Sequence, residues 1–170
     1  IPVIAGALDG SHFEAGTFDT ITMMDLIEHV PAPRTLLDTA RHLLRPGGLL
    51  VVYTPNHRSL IAQLALTAYK VSGGAVRGPV YTIFGTNHVC FFDHRSLPEA
   101  LLRAGYRLDV MYHLKYDPGH QGEVDERSPL ALGIKGVEML GQVVGRPYRL
   151  LAFARTTLNP PQRGGSTSPP

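Results

Sequence analysis

Apolar positions along the chain fall into two alternating kinds, short β-branched runs and stripes at helical spacing. Phe18-Asp19-Thr20-Ile21-Thr22-Met23-Met24 is short and β-branched, which predicts a buried strand rather than a helix. Between residues 34 and 45, Leu36, Leu37, Ala40, Leu43 and Leu44 mark one face, while Arg34, Asp38, Arg41 and Arg45 fall on the rest. That is an amphipathic helix, and Pro46-Gly47-Gly48 is expected to end it with a left-handed glycine cap. Leu49 to Tyr53 is continuously apolar, the mark of a strand covered on both faces, and Thr54-Pro55-Asn56 closes it.

The alternation continues downstream. A helix is predicted over 59 to 71, followed by a connection through Gly73, Gly74, Gly78 and Gly85. Ser96-Leu97-Pro98-Glu99 has capping-box spacing for a helix ending at Ala104-Gly105, with Asp93 as a competing N-cap. Tyr106 to His113 predicts a strand, 117 to 128 a polar loop, 130 to 144 a helix and 148 to 154 a last strand. Residues 1 to 5 look like the end of a further strand, punctuated by Gly6 and Asp9-Gly10. The pattern predicts an α/β fold with a largely parallel sheet. Ligands of such sheets sit beyond the carboxyl ends of the strands, here Gly6 to Asp9, 24 to 29 and 54 to 57.

The strand at 18 to 24 runs into Asp25, Glu28 and His29, just before Pro31 and Pro33. Asp25 as N-cap with Glu28 three residues on is helix-start chemistry, which accounts for both acids but not for His29. On a helix the three residues share one face, and two carboxylates with an imidazole suit a divalent cation if a further ligand approaches. His88 is the candidate for that ligand. Without a metal, His29 or His88 has the proton affinity of a general base near neutral pH. Both readings stay open from the residues alone.

Composition narrows the class. With 170 residues and 44% hydrophobic content, the chain fits one globular domain. A net charge of +2 without a Lys/Arg run gives nucleic-acid binding no support. One cysteine, Cys90, excludes an internal disulfide, and with no leader or membrane-length apolar segment a cytoplasmic location is expected. The chain opens at Ile1 inside an apolar run, so the expectation is the C-terminal portion of a longer protein, with the domain over 1–157 and a disordered tail over 158–170.

Taken in order, the motifs resemble class I S-adenosylmethionine-dependent methyltransferases, in particular the ubiquinone-type O-methyltransferases. They are Phe18-Asp19, Asp25-x-x-Glu28-His29-Val30, Leu44-Arg45-Pro46-Gly47-Gly48, Thr54-Pro55-Asn56, Gly85-Thr86-Asn87-His88-Val89-Cys90-Phe91-Phe92 and Leu101-Leu102-Arg103-Ala104-Gly105-Tyr106. The resemblance implies a Rossmann-like three-layer sandwich, here lacking the first two strands and the glycine-rich cofactor loop. It implies S-adenosyl-L-methionine as cofactor, met by Gly6, Ala7, Leu8, Met24 and Asp25, with weak or no binding by these residues alone. The reaction implied is direct in-line methyl transfer to the hydroxyl of a small-molecule acceptor. Glu28, His29 and His88 would be catalytic, and Asp25, Glu28, His29 and His88 would be ligands to a divalent metal, Mg or Zn. Residues 60 to 85 stand where relatives carry a lid, and an apolar helix there would help reach a membrane-borne acceptor such as a quinone. Two other readings compete: a degenerate, non-catalytic α/β binding module, and a nicotinamide dehydrogenase, for which the glycine fingerprint is missing.

Overall fold

A computed structural model of the chain describes residues 5, 6, 8, 13–85, 87–114 and 129–157. Its strands are β1 (Phe18–Met24), β2 (Leu44–Pro55), β3 (Tyr106–Leu114) and β4 (Arg149–Thr156), and its helices are α1 (Pro33–Leu43), α2 (Leu60–Val71), α3 (Gly78–Phe84), α4 (Ser96–Arg103) and α5 (Pro129–Val143). The strands form one sheet in the order β1-β2-β4-β3. β1 runs parallel to β2, whereas β4 is antiparallel to both β2 and β3. The largely parallel sheet expected from the alternation is thus replaced, among the described strands, by one parallel and two antiparallel pairings. The reason is the last strand, which inserts between β2 and β3 instead of adding to an edge.

One face of this sheet carries the core. Met23, Leu50, Val52, Leu150, Ala152 and Ala154 are buried there against Leu36, Leu37 and Ala40 of α1 and Leu97 and Leu101 of α4. Tyr106 is fully buried in the same core, and its hydroxyl donates to the Leu37 carbonyl at 3.0 Å. Burial pushes the Tyr106 phenol far above its ordinary pKa, so it remains a donor at any physiological pH. The opposite face, with Val51, Tyr53, Leu151 and Phe153, is only partly covered by described residues. Among the described strands β1 lies at one edge, and its Thr20, Thr22 and Met24 are exposed, so it is half-buried where full burial was expected.

Three local expectations change. The helix α1 ends at Leu43, and Pro46-Gly47-Gly48 lies inside β2 as a bulge, not a helix cap. Gly47 has φ +75° and donates to the Thr156 hydroxyl at 2.8 Å, and a Cβ on Gly48 would sit 2.9 Å from the Arg45 carbonyl oxygen. The glycine-rich connection contains α3, which packs with α2 and α5 in a second apolar cluster around Ile61, Ala62, Ala65, Ile83 and Tyr148. At α4 the Asp93 side chain supplies the cap, accepting from the Arg95 and Ser96 amides at 2.7 Å each, while the Ser96 hydroxyl accepts from the Asp93 amide at 2.9 Å. The predicted strand end at 1 to 5, the loop at 117 to 128 and the tail from 158 fall almost wholly outside the described residues.

Burial alone would raise the Asp93 pKa, but the amides of Ser96 and Arg95 outweigh it and hold the carboxyl below its usual value. A carboxylate depressed on folding stabilises the protein above its unfolded pKa and loses that contribution as pH falls through the folded one. Asp93→Ala is expected to lower stability by about 1 kcal/mol in urea unfolding at pH 7, with the difference from wild type shrinking below pH about 4. A difference that stays constant to pH about 2 would contradict the capping role.

Candidate active site

β1 and β2 are parallel, so their carboxyl ends open on the same edge of the sheet. Leaving β1, the backbone turns sharply at Asp25, whose φ of 45° lies in the left-handed region and whose amide donates to the Tyr53 carbonyl at 3.0 Å. A single 3-10 turn follows over Ile27–His29. The expected helix with Asp25 as N-cap does not form: the N-cap position is Leu26 and no side chain caps the turn. Pro31 and Pro33 lack the amide protons that a continuing helix requires, which limits the element to one turn. Asp25 instead pairs with Arg149, at the start of β4.

Glu28 is pulled under the surface. It is 2% exposed, and its Oε2 accepts from the Thr54 hydroxyl at 2.9 Å, across from the end of β2. Its other oxygen, Oε1, is buried without a hydrogen-bond partner among the described residues. Desolvation raises the Glu28 pKa, only partly offset by hydrogen bonds from its own backbone and Thr54. The Glu28 main-chain carbonyl accepts from the amides of Val89 and Cys90 at 2.9 and 3.0 Å. That pair of bonds fastens the distant 85–90 loop onto the turn.

The fastening brings His88 to His29. Their rings meet edge to face with centroids 4.7 Å apart. One ligand atom from each of Glu28, His29 and His88 lies within 4.8 Å of the other two. Nδ1 of His29 donates to the Asn87 carbonyl at 3.1 Å, which leaves Nε2 with its lone pair in the neutral ring. Burial, then the neighbouring His29 and Arg149, lower the His88 pKa, so that ring is held neutral near pH 7. Gly85 has φ +60°, and a Cβ there would press on the His88 ring at 3.2 Å. A side chain at position 85 would therefore both strain the backbone and displace the imidazole.

These groups line a cleft of about 340 Å³ together with Pro55, Tyr81, Thr82, Tyr148 and Arg149. Beside it lies a small apolar recess formed by His57, Phe84, Phe91 and Phe92, with His57 pinned to the Phe92 carbonyl at 2.7 Å. The structure thus joins Glu28, His29 and His88, and places Asp25 alongside them with its carboxylate on Arg149. Arg149 was not singled out in the sequence. The signal available was a lone arginine heading the apolar run Leu150-Leu151-Ala152-Phe153-Ala154.

The buried unpartnered Oε1 and two imidazoles make a donor set that fits a divalent cation. S-adenosylmethionine is different. Among the residues expected to meet it, Gly6 and Leu8 are exposed, Met24 is 57% exposed, Asp25 is engaged by Arg149, and Ala7 lies outside the described residues. No glycine-rich cradle occurs at this edge among the described residues, so they do not by themselves fit the cofactor.

Glu28 provides a check on this geometry in metal-free buffer. A carboxyl raised on folding binds more protons in the native than in the unfolded state, so its contribution is fully present below pH about 4.5 and declines as pH rises through the native pKa. Glu28→Gln, which keeps an acceptor for Thr54, is expected to gain stability relative to wild type as pH rises from 4.5 to 8. Parallel urea curves for the two proteins across that range would contradict a buried, unpartnered carboxyl.

Comparison with known proteins agrees with the architecture. Two relatives named ubiquinone biosynthesis O-methyltransferase align over 106 residues. The one from Xylella fastidiosa is 35% identical, over 59% of this chain and 39% of its own length. The one from Xanthomonas euvesicatoria is 30% identical, over 62% of this chain and 42% of its own length. The chain spans about two fifths of the curated relatives it matches. In fold, a SAM-dependent methyltransferase of Thermotoga maritima superposes with a TM-score of 0.60 at 19% identity, covering 92% of this chain and 65% of the other. Residues 6–110 match the methyltransferase domain family, and the chain belongs to it.

Proposed function

We propose that this chain carries the acceptor side of an S-adenosylmethionine-dependent methyltransferase that methylates a hydroxyl oxygen of a small molecule. The observation that carries the reading is the convergence of Glu28, His29 and His88 on one cleft wall, within 4.8 Å of one another, at the carboxyl edge of the sheet. The names of the relatives support oxygen as the acceptor atom.

The roles of the three residues follow from their chemistry. Oxygen is a poor nucleophile until its proton is removed, so the acceptor hydroxyl needs a base or a cation beside it. Glu28, His29 and His88 would hold a divalent cation, Mg or Zn, whose charge lowers the pKa of a nearby hydroxyl. Two imidazoles favour Zn over Mg within that pair. Asp25 stays outside this set while Arg149 holds it. The metal-free alternative has its own support, because His29 presents Nε2 and His88 is kept neutral, each able to accept the proton directly. In both versions Glu28 positions the turn through Thr54 and the 85–90 loop. No described helix is long and apolar enough to cross a membrane.

Methyl transfer by the full-length protein to a phenolic acceptor is expected to fall about 100-fold or more in both His29→Ala and His88→Ala. If a cation takes part, a chelator abolishes transfer and added Zn or Mn restores it in wild type but not in either variant. If histidine acts alone, the chelator has no effect while the losses remain. Wild-type rates in both variants would rule out this site.

A further inference from the structure

Arg149 is the only arginine or lysine among the described residues lining the cleft. Its side chain is 7% exposed, and burying a guanidinium is costly unless charge and hydrogen bonds surround it. Three contacts hold it. Its Nη1 donates to Asp25, and its carbon lies 5.0 Å from the Tyr53 ring centre and 5.1 Å from that of Tyr148. The Tyr148 hydroxyl in turn donates to the Ile83 carbonyl of α3 at 2.8 Å, so that wall is itself anchored. β4 sets the origin of the side chain, because Arg149 pairs with Pro55 at the end of β2 and with Leu114 at the end of β3. The cation is pre-oriented by the fold.

The contacts leave much of its capacity unused. A guanidinium has five N–H donors in a planar fork, and its hydrogen bonding among the described residues is to Asp25. The Asp25 side chain is 45% exposed and stands at the rim, where solvent weakens its hold. A fixed arginine with open donors on a cleft wall matches a planar carboxylate, which takes two parallel N–H bonds. With no second arginine or lysine on the described wall, the match is to a single negative charge rather than a phosphate dianion.

Building on the acceptor cleft proposed above, we infer that the methyl acceptor bears a carboxylate near the hydroxyl to be methylated, and that Arg149 is the specificity-determining residue that binds it. The hydroxyl then faces Glu28, His29 and His88 across a cleft of about 340 Å³, a space suited to one ring with both substituents. Rigid stacking on two tyrosines spares the ordering cost that a free arginine would incur on binding. A purely structural arginine, serving only to keep Asp25 in its turn, would not discriminate between a carboxylate ligand and its neutral ester.

Calorimetric titration of the full-length protein with 3-hydroxybenzoate and with its methyl ester at pH 7 reads that discrimination. Wild type is expected to bind the acid at least about tenfold more tightly than the ester. In Arg149→Gln the ratio should fall to near one, and in Arg149→Lys, which keeps the charge but loses the fork, to an intermediate value. Equal affinities in wild type, or a ratio that survives in Arg149→Gln, would overturn the assignment. If circular dichroism shows Arg149→Gln unfolded, Arg149→Lys decides, and an unaltered ratio there overturns it as well. Binding of neither probe to wild type would instead remove the acceptor cleft, and this assignment with it.

Discussion

Glu28 ties the sheet edge together. Its side chain reaches the Thr54 hydroxyl at the end of β2, while its main-chain carbonyl takes the amides of Val89 and Cys90. One residue thereby joins the turn after β1, the end of β2 and a loop about sixty positions downstream. The arrangement has an energetic cost, since a nearly fully buried carboxyl with one oxygen unpartnered among the described residues is unfavourable by itself. Burial of Ile27, Leu50 and Val52 in the main core offsets that cost. The clasp acts with the His29–Asn87 bond and the Cys90 Sγ contact to the Val30 carbonyl to hold His88 beside His29.

The clasp also explains why chemistry gathers at this edge and not elsewhere. Parallel β1 and β2 deliver Asp25 and Thr54 to the same side, and antiparallel β4 brings Arg149 back to meet them. The second apolar cluster, built from α2, α3 and α5, closes the far wall through Tyr148 and its bond to Ile83. A Rossmann-like fold offers such an edge to many reactions, so fold alone does not select one. In the function proposed above, the selection comes from the carboxyl and the two imidazoles on the wall. The names borne by the relatives agree with oxygen methylation, over the two fifths of their length that this chain matches.

Much of this was legible in the residues. β1, α1, β2, α2, β3, α5 and β4 follow from apolar spacing, and α4 from the capping signals at Asp93 and Ser96 with Gly105 as its stop. His29 and His88 stood out because capping, which accounts for Asp25 and Glu28, explains neither histidine. What the spacing missed was set by tertiary contact. Asp25 matched an N-cap by position, yet it pairs with Arg149, 124 residues away, a partner that no local pattern reveals. The insertion of β4 between β2 and β3 is likewise non-local, so the alternation suggested parallel strands where two antiparallel pairings occur. Pro46-Gly47-Gly48 reads as a helix stop on local rules, but the Thr156 hydroxyl recruits Gly47 into a strand bulge. α3 was hidden because its seven residues include Gly78 and Pro79, both weak helix signals.

Glu28, His29 and His88 would act as one ligand-binding constellation in the function proposed above. Crystals of the full-length protein grown with zinc, with anomalous scattering recorded at the zinc absorption edge, test it most directly. The account predicts a single strong peak about 2.0–2.2 Å from a Glu28 carboxylate oxygen and from one nitrogen of each imidazole, with Asp25 still on Arg149. A peak held by other residues, or an empty cleft with His29 and His88 apart, would contradict it.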